Sequence, residues 1–284
     1  MKKGVVIFAH NNRQIDYAKM ALASGGLAKK HLGVPVSLIT DQSTVDWLKE
    51  SNLWDKALQT FEQIIDVERP ADLQQRKFKD GKESVTAPFK NSNRSSVWDL
   101  TPYDRTLMID CDYFIFSDAL NEYWECESDI LISTKYNDVQ GNRIGYLDKY
   151  ISDTGVRLLW ATTVMFTKNE NTKVFFELVK HIKDNYKKFA DIFRFDNRMY
   201  RNDISFGIAR HILYGFETDN DYAMPPVLSV PDMDLVYDVN ENGIQLLTSN
   251  ANDYTLCNIK DRDIHIMNKQ AITRHIDKFM ELVW

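Results

Sequence analysis

The chain has 284 residues, 44% of them hydrophobic and 27% charged, the balance of an ordinary folded globular protein and one that excludes extended disorder. No apolar run approaches the ~20 residues needed to cross a bilayer, and a net charge of -6 gives no global pull toward nucleic acid or anionic membrane, although a local basic patch stays open. The three cysteines, Cys111, Cys126 and Cys257, are odd in number and lack metal-ligand spacing, so reduced, packed thiols are expected.

Residues 1–10 run directly into a strand-like segment rather than a signal peptide, and a cytoplasmic protein is expected. Gly4 to Ala9 reads as a compact apolar strand, and the polar break His10, Asn11, Asn12, Arg13 follows it. Ile15 to Leu32 has helical spacing, interrupted at Gly25-Gly26 and terminated by Gly33. Val34 to Thr40 is a second strand ending at Asp41, with Ser43 as N-cap of a helix over Thr44 to Glu50. That order places the His10 to Arg13 loop at the carboxyl edge of a sheet, where open α/β sheets bind ligands. Glu68 to Arg94 is rich in Lys, Arg, Gln, Asp and Ser around the turn signal Lys79-Asp80-Gly81-Lys82, and a mobile loop is expected there.

Further strands are expected at Ile130 to Thr134 and Leu158 to Phe166, with helices at Asn171 to Tyr186 and Asp203 to Tyr214. Asn240 to Gly243 marks a hairpin turn before Ile244 to Leu247, and Gln270 to Trp284 has helical spacing. The alternation of strands and helices predicts an α/β fold, a mixed, mostly parallel sheet flanked by helices, in one domain over residues 1–284.

The most informative segment is Arg105 to Phe116, an apolar, β-rich run that carries Asp110 and Asp112. Ionised carboxylates at the end of a buried strand are costly without a partner. A divalent cation is one such partner, because two oxygens from residues i and i+2 can share Mg2+ or Mn2+ and leave positions open for phosphate oxygens.

With these features the chain resembles the nucleotide-sugar glycosyltransferases of the Rossmann-like GT-A fold, most closely their retaining, galactosyltransferase-like branch, family 8. The resemblance rests on the N-terminal strand with its polar loop and the Leu38-Ile39-Thr40-Asp41 strand end. It rests equally on Arg94, on Asp110-Cys111-Asp112, and on the late segment Asp263 to Lys269, where His265 lies. It implies a transferase for which Asp110, Asp112 and His265 hold Mn2+ or Mg2+, and for which Ala9, His10, Asn11, Asn12, Asp41, Arg94, Asp110, Cys111, Thr162, Asn268 and Lys269 hold a nucleotide sugar, UDP-linked. Residues 1–118 then form the nucleotide-binding half, and residues 119–284 the acceptor side with the C-terminal metal and phosphate segment. The chemistry agrees: imidazole joins carboxylates on Mn2+, Lys269 supplies charge to a diphosphate leaving group, and an Arg fork suits phosphate or hydroxyl oxygens.

The chain departs from the family's pattern in three places. His10, Asn11 and Asn12 stand where an acidic residue usually meets the uracil edge. Trp160-Ala161-Thr162-Thr163 replaces an Asn-Ala-Gly-like turn, and its bulky indole favours a smaller donor sugar such as a pentose. Asn202-Asp203 replaces an Asp-Gln-like pair; Asp203 is either a general base, giving inversion, or the N-cap of the next helix, and the resemblance favours retention.

The acceptor is a glycan, a small molecule or a hydroxylated base in modified DNA. The last reading comes from basic residues around Arg76 to Lys82 and from the interleaved aromatic and basic residues of Tyr186 to Arg201, which otherwise form an amphipathic helix end. Two other classes stay open. One is a nucleotidyltransferase, which would usually carry a Gly-rich phosphate loop that His10 to Arg13 lacks. The other is a non-catalytic sugar-nucleotide-binding protein. The sequence does not specify an oligomeric state.

Overall fold

The computed structural model describes residues 1–12, 14–68, 74–91, 93–141, 143, 149–196, 199–216, 223–250 and 253–284. Arg13, residues 69–73, Ser92, Asn197 and Arg198, all within segments singled out above, lie outside them. The first part of the chain runs β1 (Lys3–Phe8), α1 (Tyr17–Leu32), β2 (Val36–Thr40), α2 (Gln42–Glu50), α3 (Trp54–Thr60), β3 (Gln63–Asp66), β4 (Gln74–Asp80) and β5 (Glu83–Phe89). It continues through α4 (Val97–Leu100), β6 (Arg105–Asp110), β7 (Tyr113–Phe114), β8 (Ile130–Ser133), β9 (Tyr136–Asp138), β10 (Trp160–Thr167), α5 (Glu170–Asp184), α6 (Tyr186–Phe193) and α7 (Asn202–Tyr214). The last part is β11 (Ala223–Met224), β12 (Val227–Val230), β13 (Leu235–Asn240), β14 (Gly243–Asn250), β15 (Asp253–Ile259), β16 (Ile264–Ile266) and α8 (Lys269–Glu281).

Seven strands form the central sheet in the order β11-β8-β10-β6-β1-β2-β3. The run β6-β1-β2-β3 is parallel, and β10 is antiparallel to both its neighbours, so the sheet is mixed and mostly parallel, as expected. Both faces are covered. Val5, Ile7, Leu107 and Ile109 pack with residues of α1 and α8, whereas Val6, Phe8 and Met108 pack with residues of α5 and α7. The period of two along each strand sorts its side chains between the two cores.

After β3 the chain returns to lay β6 on the other side of β1, which makes the gap between their carboxyl ends a topological switch point. Phe8 pairs with Asp110 there, at the mouth of the crevice.

A second sheet, β7-β16-β12-β9, brings the late segment to the same edge. His265 pairs with Tyr113, and the Ile266 N–H donates to the Asp112 carbonyl at 3.0 Å. This short antiparallel pairing sets an imidazole beside a carboxylate 153 positions away.

Several local expectations change. α1 is continuous through Gly25-Gly26, because a Cβ on Gly25 would lie 2.8 Å from the Phe61 ring and one on Gly26 2.4 Å from Val283. Those glycines permit close packing and do not break the helix. Asp41, not Ser43, caps α2, accepting from the Thr44 N–H at 2.9 Å. The helix expected over Asn171 to Tyr186 is α5, which ends at Asp184; a further helix, α6, follows it directly and is ended by Arg194 in the left-handed region (φ 54°).

The largest difference lies between Glu68 and Arg94, where β4 and β5 form an antiparallel hairpin, Asp80 opposite Glu83, turned by Gly81 at φ +61°. Asp80 clamps the hairpin to α8. It accepts from Arg274 at 2.6 and 2.9 Å and from Asn268 Nδ2 at 3.1 Å.

Candidate active site

At the carboxyl end of β6, one ligand atom from each of Asp110, Asp112 and His265 lies within 4.8 Å of the others. His265 Nε2 is 3.2 Å from Asp112 Oδ2, and the Ser229 hydroxyl is 3.5 Å from the other ring nitrogen. Two carboxylates and an imidazole suit a hard to borderline divalent ion such as Mn2+ or Mg2+. Each carboxylate also has a cation of the protein: Arg94 pairs with Asp110, and Lys269 with Asp112. Burial would raise the Asp112 carboxyl, but the charges of Lys269 and His265 outweigh it and hold it well below the ordinary range. Cys111, between the two aspartates, behaves differently, since burial pushes its thiol up to about 12. It is a neutral thiol at pH 7 and supplies no anionic sulfur.

These residues form one wall of a cleft enclosing about 800 Å³, open solvent included. Across it stand Asn202 and Asp203 from the start of α7, with Ala161 and Thr162 from β10. Asp203 does not cap α7: it sits in the first turn and pairs with Arg201, the cap residue, whose own side chain makes no cap hydrogen bond. Burial raises the Asp203 carboxyl, but Arg201 more than compensates and leaves its pKa below the ordinary value. It is therefore ionised and a weak base. Trp160 lines the same cleft and stacks on Tyr136, ring centres 4.4 Å apart at 14°.

The hairpin supplies residues from a segment whose composition predicts a mobile loop. Arg76, Phe78 and Phe89 line the cleft, and the Arg76 guanidinium lies 5.1 Å from the centre of the Phe89 ring. The alternation of Val85, Ala87 and Phe89 with polar residues along β5 and the Asp80-Gly81 turn are the available signals for this wall. Tyr17, Asn91, Tyr200 and Arg201 also line the cleft and were not among the expected site residues.

The remaining candidates lie at the edge of the sheet but do not line this cleft. Ala9 pairs its backbone with Ile39 and Thr40. His10 Nδ1 and Lys90 Nζ are 3.8 and 3.6 Å from Asp41 Oδ2, all three side chains being buried. Lys90 also donates to the Asn11 carbonyl. Asn11 Oδ1 accepts from the Ala18 N–H at 2.6 Å, and Asn12 Oδ1 accepts from Gln14 and Ile15. Asn268 caps α8 through the Ala271 N–H at 2.9 Å and donates to the Asp234 carbonyl at 2.9 Å. The polar side chains of Asn11, Asn12, Asp41 and Asn268 thus hold helix starts and loops in place around the cleft.

No known family model and no curated protein matches the sequence. Solved structures similar to the chain include the glycosyltransferase GlyE of Streptococcus pneumoniae, at 13% identity over 79% of this chain and 45% of that one, with a TM-score of 0.42. Another is the galactosyltransferase LgtC in complex with donor and acceptor sugar analogues, at 15% identity over 72% of this chain and 70% of that one, TM-score 0.44. A third is mouse xyloside xylosyltransferase 1, at 9% identity over 75% and 83%, TM-score 0.42. The chain thus spans less than half the length of GlyE. All three are glycosyltransferases.

Proposed function

We propose that this protein is a metal-dependent glycosyltransferase that moves a sugar from a nucleotide sugar, UDP-linked, to an acceptor hydroxyl. The observation that carries the reading is the cluster of Asp110, Asp112 and His265 at the switch point, flanked by Arg94 and Lys269 and lining a cleft. A divalent ion held by that cluster would supply electrostatic stabilisation to the diphosphate.

The chain's own residues do the rest. Lys269 and Arg94 exchange their carboxylate partners for diphosphate oxygens, placing fixed positive charge where the leaving group gains electrons. Trp160 narrows the sugar side of the cleft, which supports a compact donor sugar, a pentose or a small hexose. The sugar C1–O bond breaks with its electron pair passing to the diphosphate, and the acceptor oxygen bonds to C1. The acceptor proton needs a base. Asp203, ionised and tied to Arg201, is a weak one, which supports transfer of the proton to a diphosphate oxygen on the same face and hence retention.

Among acceptors, a glycan or small molecule fits better than hydroxylated DNA. The aromatics that suggested base stacking pack on one another instead: Tyr186 lies 5.1 Å from Phe195 and 5.0 Å from Tyr200.

The test is incubation with a panel of nucleotide sugars and Mn2+, with glycans, small alcohols and hydroxymethylated DNA as acceptors. Release of nucleoside diphosphate with sugar transfer supports the reading, and the anomeric configuration of the product decides retention. Release of pyrophosphate would make the protein a nucleotidyltransferase, and binding without turnover a sugar-nucleotide-binding protein.

A further inference from the structure

We propose that Tyr17, Asn91, Trp160 and Asn202 form a subsite for a polyhydroxylated ring, the sugar of the donor, beside the metal-ligand cluster. The proposal rests on the glycosyltransferase reading and goes further by assigning the residues that recognise the sugar.

All four side chains line the one cleft, and each has a buried polar atom without a hydrogen-bond partner: Tyr17 Oη, Asn91 Oδ1, Trp160 Nε1 and Asn202 Oδ1. Unpaired buried polar atoms are uncommon and costly, of order 1–3 kcal/mol each, and four around one cavity call for a shared explanation. Their chemistry defines the ligand. Trp160 Nε1 only donates, the two amide oxygens only accept, and Tyr17 Oη does either. The diphosphate of a nucleotide sugar, a diester with no P–OH left to donate, cannot satisfy Asn202 Oδ1. A sugar ring, whose hydroxyls both donate and accept, satisfies all four.

The amide orientation is fixed on one side, because Asn202 Nδ2 donates to the Asn91 carbonyl at 3.2 Å and a flip would forfeit that bond. Trp160 is held by its stack on Tyr136, so its N–H is presented on a rigid plane. The four atoms are closed to solvent in the ligand-free protein, so a ring entering the cleft reaches them by side-chain adjustment, which is common on binding.

The test compares UDP with UDP-glucose, UDP-galactose and UDP-xylose by calorimetry in the presence of Mn2+, using wild type and the variants Trp160→Phe, Asn91→Leu and Tyr17→Phe. Each variant removes one unpaired atom and keeps most of the side-chain volume. Affinity for the preferred nucleotide sugar is expected to fall roughly tenfold in each, affinity for UDP to stay unchanged, and the ligand-free melting temperature to hold or rise. Unchanged nucleotide-sugar affinity means that water fills these positions and overturns the proposal. Equal weakening toward UDP, or a drop in ligand-free melting temperature, assigns the atoms to the fold and overturns it too. A wild type that binds UDP but gains nothing from the sugar overturns this proposal alone, whereas a wild type that binds neither UDP nor any nucleotide sugar overturns the glycosyltransferase reading as well.

Discussion

Arg94 pairs with Asp110 through one guanidinium nitrogen and donates to the Ala161 carbonyl at 2.9 Å through another, so a single side chain ties the end of β6 to the start of β10. Both sides of the ion pair are largely buried, with 13% of each side chain exposed. Removing one partner of such a pair leaves an uncompensated charge, at a cost of about 3–5 kcal/mol. Arg94→Ala is therefore expected to lose stability of that order in metal-free urea titrations, and Mn2+ is expected to restore part of it by neutralising Asp110. A variant with wild-type stability in EDTA would contradict the buried pairing.

Lys269 competes with metal for Asp112. With the lysine gone, the donor-free protein is expected to bind Mn2+ more tightly, while turnover falls on the order of 10²-fold because the leaving diphosphate loses a cation. Calorimetry and initial rates on Lys269→Ala read the two effects separately. Full activity, or weaker Mn2+ binding, would remove Lys269 from the site.

The Asp80–Arg274 pair fastens the β4–β5 hairpin, and with it Arg76 and Phe78, over the cleft. Arg274 is about half exposed, at 48%, so its removal should cost no more than about 1 kcal/mol of global stability. Local opening is the sensitive readout. Amide exchange of residues 75–88 is expected to accelerate in Arg274→Ala while that of β1 and β6 does not change.

Acid should destabilise the protein in part through Asp41. Burial raises its carboxyl, but hydrogen bonds from Ser43 and Thr44 and the charge of Lys90 outweigh burial and lower the pKa. A folded-state pKa below the unfolded value of ~3.9 means that the contribution is present in full above about pH 4 and is lost as pH falls through the folded value. Denaturation of wild type and Asp41→Asn between pH 6 and pH 2.5 should show a stability gap at pH 6 that closes toward the acid end. A gap that widens on acidification would reverse the sign.

The central sheet was legible because β1, β2 and β6 are short apolar runs ended by polar loops, a pattern that local sequence determines. The acidic pair Asp110 and Asp112 could be read for the same reason, as charge where a buried strand ends. His265 was reached only through the family resemblance, since its neighbour is Asp112 across a three-residue strand, and nothing within Ile264 to Ile266 announces that pairing. Gly25 and Gly26 misled because their cause is nonlocal: Phe61 and Val283 occupy the space that side chains would need. The hairpin was misread from its composition. Lys77 and Lys79 face solvent on the outside while Phe78 and Phe89 are buried, so a basic run concealed an alternating strand. Asn91 and Trp160 carried no signal beyond their bulk and polarity, because an unpaired atom is visible only once its surroundings are known.

The most direct measurement is calorimetric titration of nucleoside diphosphates, UDP first and then GDP, CDP and dTDP, into wild type with Mn2+, wild type with EDTA, and Asp112→Asn with Mn2+. Binding of one diphosphate to wild type with Mn2+, and its loss in both other arms, is the expected result. Equal affinity in EDTA, or undiminished affinity in Asp112→Asn, would contradict a metal-held diphosphate at Asp110, Asp112 and His265.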